Sequence, residues 1–267
     1  MSTLSHPLTD SATMLRRQLR HMLRYPSMTV LLVGMPIVFL LLFVYVFGGT
    51  LGAGLGGLPG FSGGRSGYVD YVTPAILVLT VAAGAQGTAI SVAMDMTEGI
   101  IARFRTMAIA RVSVLTGHVL GSMIQTFLSI AVVVGVALLV GLHPKAGPLD
   151  WVAVVGVLAM VAFALTWLSV ALGMVADSVE TASNLPMPLL LLPFLGSGFV
   201  PTDSMPAGLR WFAEHQPFTP VMETLRGLLM GTPMHDHSAA LAVIWCAATA
   251  LVSYVWAKRM FNRDPTP

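Results

Sequence analysis

Six long apolar runs are spaced along the chain, and the charged residues fall almost entirely between them. The runs cover residues 28–47, 72–94, 116–142, 149–176, 185–200 and 239–256. A helix that crosses the hydrocarbon layer needs about 20 predominantly apolar residues. Five of the runs reach that range and the run 185–200 is shorter. Water-soluble domains do not carry so many apolar segments of this length. The pattern therefore predicts an all-α membrane protein with six transmembrane helices.

Polar punctuation refines the picture. Residues 1–13 read as a disordered start, 14–263 as one membrane domain and 264–267 as a tail. Within 14–24, Leu15, Leu19, Met22 and Leu23 recur at helical spacing, while Arg16, Arg17, Arg20 and Arg24 supply charge. Such an amphipathic helix lies along the lipid interface. It equally serves as a basic anchor that sets topology, and the two roles are compatible. The first run has full span length behind a long polar lead, unlike the short core of a signal peptide. It is expected to remain as a span.

Composition agrees: 55% of residues are hydrophobic and only 10% charged, against about 25% charged in soluble domains. The net charge of +2 offers nothing to nucleic acid, but the placement of charge is informative. With the amino terminus inside, the inner segments hold 10 of the 14 Lys and Arg residues. The positive-inside rule then puts both termini in the cytoplasm of a multi-pass membrane protein. Cys246 is the only cysteine, which excludes an intrachain disulfide and a cysteine-based metal cluster.

Several local patterns carry less than their form suggests. Gly52, Gly54 and Gly57 have the spacing of a dinucleotide loop, but a membrane run precedes them where that site needs a strand. His235, Asp236 and His237 are a poor ligand set without further partners, so no metal is expected. Gln86, His118 and Gln125 lie within spans. Two readings stand for them: bonds to a neighbouring helix, or the wall of a substrate path. Gly117 and Gly121 permit close helix approach. Pro186, Pro188 and Pro193 break the shortest run, making it either a moving, cavity-lining element or a merely irregular span.

Two segments between the runs are richer. The inner loop 95–111 mixes Asp95, Glu98, Arg103, Arg105 and Arg111 with Ile100, Ile101, Phe104 and Met107. A loop that only set topology would need charge alone, so this one is expected to form a short helix that packs on a partner or the interface. The outer segment 201–237 predicts two short helices. Ser204 caps the first, over 205–214. Thr219 caps the second, with Pro220 at its first position and Gly231 stopping it. Leu209, Trp211, Phe212, Val221, Met222, Leu225, Leu228 and Leu229 make these helices too apolar for a water-exposed loop. They read as re-entrant helices or a lid, with Glu223 and Arg226 spaced to pair.

At these two segments the chain resembles the membrane subunit of type-2 ABC exporters, in particular the daunorubicin-resistance permease group. The resemblance rests on Asp95, Glu98, Gly99, Ile100, Arg103, Phe104, Arg105, Ile109 and Arg111, and on the stretch SGFVPTDSMPAGLRWFAEHQPFTPVMETLRGLLMG at 197–231. It extends over about 15–263. The chain departs from the common family pattern at Ala108, His118 and Gln216.

The resemblance implies a half-transporter that exports hydrophobic or amphiphilic compounds, whether drug, antibiotic or lipid. It implies pairing with a second permease copy or a related permease, and coupling to a cytoplasmic ABC ATPase subunit that binds ATP and magnesium. The chain itself has no G-x-x-x-x-G-K-[ST] loop, and no cofactor or enzymatic activity of its own is expected. By the same resemblance, Asp95, Glu98, Arg103, Phe104, Arg105 and Arg111 couple to the ATPase. Gln86, Asn184, Met187, Phe194 and Phe199 border the translocation path. Pro201, Met205, Pro217, Pro220, Glu223 and Arg226 belong to the outer re-entrant segment. The rival reading is an ATP-independent secondary multidrug transporter, which usually needs a buried acidic residue at membrane depth. An intramembrane enzyme would need a catalytic grouping that His118 and Gln125 do not make.

Overall fold

A computed structural model describes residues 26–57, 61–97, 111–232 and 237–261, and among them there is no strand. Five helices are long and apolar enough to cross a membrane: Leu32–Gly57, Arg65–Thr97, Thr116–Val140, Pro148–Val175 and Ser238–Met260. The chain is a multi-pass helical membrane protein.

The first long helix is composite. α1 (Pro26–Leu41) continues through a π-helical stretch, Leu42–Phe47, into α2 (Gly48–Ala53) and a short 3-10 turn. Residues 48–57, which lie beyond the first apolar run, are therefore helical. α3 (Arg65–Thr97) starts seven residues before its apolar run. Tyr68 and Tyr71 lie in that extension, and both are buried. α4 (Arg111–Val140) and α5 (Pro148–Val175) follow. Pro148 stands at the first position of α5, where its missing N–H costs nothing, and the Gly147 N–H donates to Asp150 Oδ2 at 2.8 Å. α10 (Ser238–Phe261) closes the bundle, with Lys258 and Arg259 in its last turn.

α3 is the centre. In its most apolar window 72% of residues are buried, against 22% in the first and last helices. α1, α4 and α5 all pack on it. In lipid, apolar surface alone does not drive helices together, so close contact depends on small residues and polar bonds. Gly173 of α5 shows this. A Cβ there would lie 2.6 Å from the Ala89 carbonyl oxygen of α3. Thr88 of α3 and Ser122 of α4 share a buried hydroxyl–hydroxyl bond.

The run 185–200 is not one helix. The chain passes through α6 (Val179–Asn184), α7 (Met187–Leu191) and a 3-10 turn, Leu192–Leu195, before bending at Gly196. Pro186, Pro188 and Pro193 remove the donors that would join these pieces. Beyond it stand α8 (Ala207–His215) and α9 (Phe218–Met230). The bundle thus has two ends. A loop end carries 48–57, 61–64, 141–147 and 197–232. A terminal end carries the start of α1, the end of α3, the start of α4 and the end of α10.

Candidate functional site

At the loop end, helix α3 and the segment 197–230 are tied by bonds between residues far apart in sequence. Pro74 lies inside α3 and offers no N–H to the Asp70 carbonyl of the preceding turn. Arg226 of α9 reaches that turn. It is only 7% exposed. Its Nε and Nη2 lie 3.4 Å from the Tyr71 carbonyl, and Nη2 donates to the Ser197 carbonyl at 2.8 Å. Its guanidinium sits 3.9 Å from the centre of the Tyr71 ring. A buried cation is thus held by carbonyl dipoles and an aromatic face. The Tyr71 hydroxyl donates to Ser197 O at 2.7 Å and that of Tyr68 to Phe199 O at 3.1 Å. Gly198 admits this approach, because a Cβ there would lie 2.6 Å from that of Ala75.

α8 and α9 form a hairpin whose corner is deep. Pro217 and Phe218 lie beside Ala164 and Leu165 of α5 and Cys246 and Thr249 of α10, near the middle of both long helices. The Thr219 hydroxyl closes the corner by donating to Ala213 O at 2.5 Å. From there α9 climbs back to the loop end, where Leu229 O accepts from Lys145 N at 2.9 Å. Gly231, with φ 65°, ends it as expected. On α8, Arg210 bonds Glu214 at 2.8 Å and Asp203 at 2.7 Å, and all three side chains are exposed. These two carboxylates hold the Arg210 guanidinium pKa above its usual value, chiefly through the Glu214 bond.

Three local expectations are corrected here. Ser204 does not cap α8: its hydroxyl donates to Pro201 O within the 3-10 turn Thr202–Ser204, and α8 begins at Ala207 behind Pro206. Thr219 does not cap α9, which starts at Phe218 behind Pro217, so Pro220 falls inside its first turn. Glu223 and Arg226 do not pair. Glu223 Oε2 accepts from Ser238 on α10, while Arg226 turns to Tyr71 and Ser197. Pro201 and Met205 flank the 3-10 turn.

The five candidate path residues separate into two groups. Gln86, half-buried on α3, donates through Nε2 to Ser183 O at 2.7 Å. Asn184 and the 51%-exposed Met187 follow directly in the chain. Phe194 and Phe199 instead stack on each other at 4.5 Å, and the Phe43 ring of the first helix lies 4.5 Å from Phe199. Gln86 and Tyr68 lie eighteen residues apart on α3, so their bonds to Ser183 and Phe199 set the rise between those two points. At about 1.5 Å per residue it is about 27 Å.

At the terminal end, Asp95 is 8% exposed and its Oδ2 lies 3.1 Å from Nε2 of the buried His118. The last turn of α3 is thereby fastened to α4. Arg111 is the first residue of α4. Glu98, Arg103, Phe104 and Arg105 lie outside the described residues, as does the expected helix over 14–24. The sequence reading overlooked Tyr68 and Tyr71. The available signal was their i, i+3 spacing ahead of an apolar run, since buried tyrosines seek a partner for the hydroxyl.

A sequence profile of the ABC-2 type transporter family matches residues 10–230. The chain belongs to the ABC-2 type transporter family. It is 29% identical over 226 residues to a daunorubicin resistance ABC transporter permease protein, DrrB1, of Streptomyces coeruleorubidus, covering 84% of this chain and 76% of that one. It is 26% identical over 190 residues to a probable doxorubicin resistance ABC transporter permease protein, DrrC, of Mycobacterium tuberculosis, covering 69% of this chain and 66% of the relative. The ABC-2 match includes both the Arg226 cluster and the Asp95–His118 pair, while α10 lies beyond it.

Proposed function

We propose that this chain is the membrane-spanning permease subunit of an ATP-driven exporter of hydrophobic or amphiphilic compounds, with ATP hydrolysed by a separate cytoplasmic ABC ATPase. The observation that carries this reading is the ABC-2 match over most of a chain that holds no phosphate-binding loop of its own. The relatives named for resistance to daunorubicin and doxorubicin support a drug or similar amphiphile as cargo.

In this reading the chain crosses six times. The rise of about 27 Å between Ser183 and Phe199 approaches the hydrocarbon thickness of about 30 Å, so the proline-broken segment makes a full crossing. The hairpin α8–α9 is re-entrant, dipping from the outer face to mid-depth. Charge on α8 supports a second permease beside it. Arg210 and Glu214 are exposed on a helix that descends toward the bilayer centre, where a charged side chain costs about 2.5–3.5 kcal/mol by insertion scales. That face therefore needs water or protein over it. A second copy or related permease enclosing an aqueous outer chamber provides both.

The terminal end faces the cytoplasm. The segment 98–110 docks on the ATPase through Glu98, Arg103, Phe104 and Arg105, and the Asp95–His118 bond fixes the helix ends from which it springs. ATP-driven motion shifts the bundle between two states only through contacts that differ between them. The candidate inner mouth of the path lies at this end, a reading supported by the Gln86–Ser183 bond and the exposed Asn184 and Met187.

The test uses inside-out membrane vesicles from cells making this chain together with a cytoplasmic ABC ATPase subunit. Doxorubicin fluorescence should report uptake that needs ATP and disappears when the ATPase is omitted. Uptake driven by a proton gradient without ATP would overturn the reading.

A further inference from the structure

We propose that an apolar cleft at mid-height of the bundle binds one acyl chain of a bilayer lipid. The inference rests on the membrane-embedded fold and stands apart from the fuel and direction of transport. The cleft encloses about 120 Å³ between α5, α10, the broken segment and the hairpin corner. Ala164 of α5, Leu189 and Leu192 of the broken segment, Phe218 of α9, and Trp245 and Cys246 of α10 line it. No charged residue lines it.

An apolar cavity of comparable size stays dry and accepts a hydrocarbon guest, because an unfilled one forfeits dispersion contacts along its whole lining. Here the guest is supplied by the surroundings. Of its lining residues, Trp245 on α10 is 42% exposed, and Ile244 beside it is 61% exposed. In a helix of this length and apolarity that exposed surface meets lipid tails. The uncharged walls and the mid-height position suit the middle of a chain and reject a headgroup. A chain seated there fills the space behind Pro217 and Phe218. It braces the hairpin corner and the broken segment against α5 and α10, both of which are continuous helices at this depth.

The experiment places the full-length protein in phosphatidylcholine nanodiscs containing a fraction of lipid with a diazirine at the middle of one acyl chain. Irradiation followed by peptide mapping should give adducts concentrated on 161–168 and 245–249, in excess of those on the exposed α4 residues Ile124, Leu128 and Val132. Ala164→Phe fills the cleft and should abolish the excess while leaving the α4 adducts unchanged. Thr249→Leu narrows the same space from α10 and gives the same readout if Ala164→Phe does not accumulate. Even labelling of all outward faces, or an excess that survives both substitutions, would overturn the proposal. So would equal labelling of the cleft by a diazirine placed next to the headgroup. Transport is not measured, so failure here leaves the permease reading untouched.

Discussion

The two ends of α3 are fastened differently. At the loop end, Tyr68, Tyr71 and Arg226 bind carbonyls at 197–199 and on α3 itself, and the bonds to and from α3 join residues more than 120 positions apart. At the terminal end, the bonds join residues fewer than 100 positions apart: Thr88 with Ser122, Asp95 with His118, and Gln86 with Ser183. The loop end assembles the hairpin, and its bonds share acceptors, so they stand or fall together. The terminal end leaves Asn184 and Met187 exposed. On the proposed reading, the bundle is stiff where the hairpin docks and adjustable where the ATPase docks.

Removing the centre of the loop-end cluster should have the largest effect on stability. Arg226→Ala leaves the Ser197 and Tyr71 carbonyls short of a charged donor, and hydrogen bonds to charged groups are worth about 1.5–3 kcal/mol. A loss near the top of that range is expected, read as an earlier midpoint in detergent-denaturation curves. A change under about 0.5 kcal/mol, the scatter of ordinary surface substitutions, would show that the cluster does not hold the fold.

Tyr71→Phe separates the two roles of that side chain. The ring stays beneath Arg226 while the bond to Ser197 is lost, so a cost of about 1 kcal/mol is expected. A cost equal to that of Arg226→Ala would mean that the hydroxyl, and not the cation, organises the site.

The smallest stability effects should come from the other end. Gln86→Leu removes one interhelical bond, of a kind averaging about 0.6 kcal/mol in membrane helices. Asp95→Asn should be similarly mild on folding. Its larger effect is expected on ATP-dependent uptake, because it loosens the base of the segment 98–110. Full transport with Asp95→Asn would place the coupling contact elsewhere.

What the sequence made legible follows from physics that is local in the chain. Long apolar runs must be helices in lipid, since no other open structure satisfies their backbone. That reasoning located all five long helices. It failed at their ends for definite reasons. Glycines at 48–57 read as loop, yet they continue the first helix through π and 3-10 turns. Tyr68, Asp70 and Tyr71 made the start of α3 look too polar, although each spends its polarity on a bond across the bundle: Asp70 accepts from His143 N at 3.0 Å. Hairpin helices at 205–230 were visible in their apolar content. Their partners were not, because helical spacing suggested a Glu223–Arg226 pair while the fold brought Tyr71 and Ser197 closer. The stacking of Phe194 on Phe199 beside Phe43 was equally invisible. Contacts between residues more than 100 positions apart leave no periodic trace in a single sequence.

The most direct test of the central claim, that a separate ATPase drives this chain through the segment 98–110, is purification of the tagged full-length protein from its native membrane. The wild type should bring down an ABC ATPase subunit and its nucleotide hydrolysis. A variant carrying Arg103→Glu and Arg105→Glu should insert normally yet lose both. Wild-type protein that purifies without any ATPase, or a doubly reversed variant that retains it in full, would contradict the account.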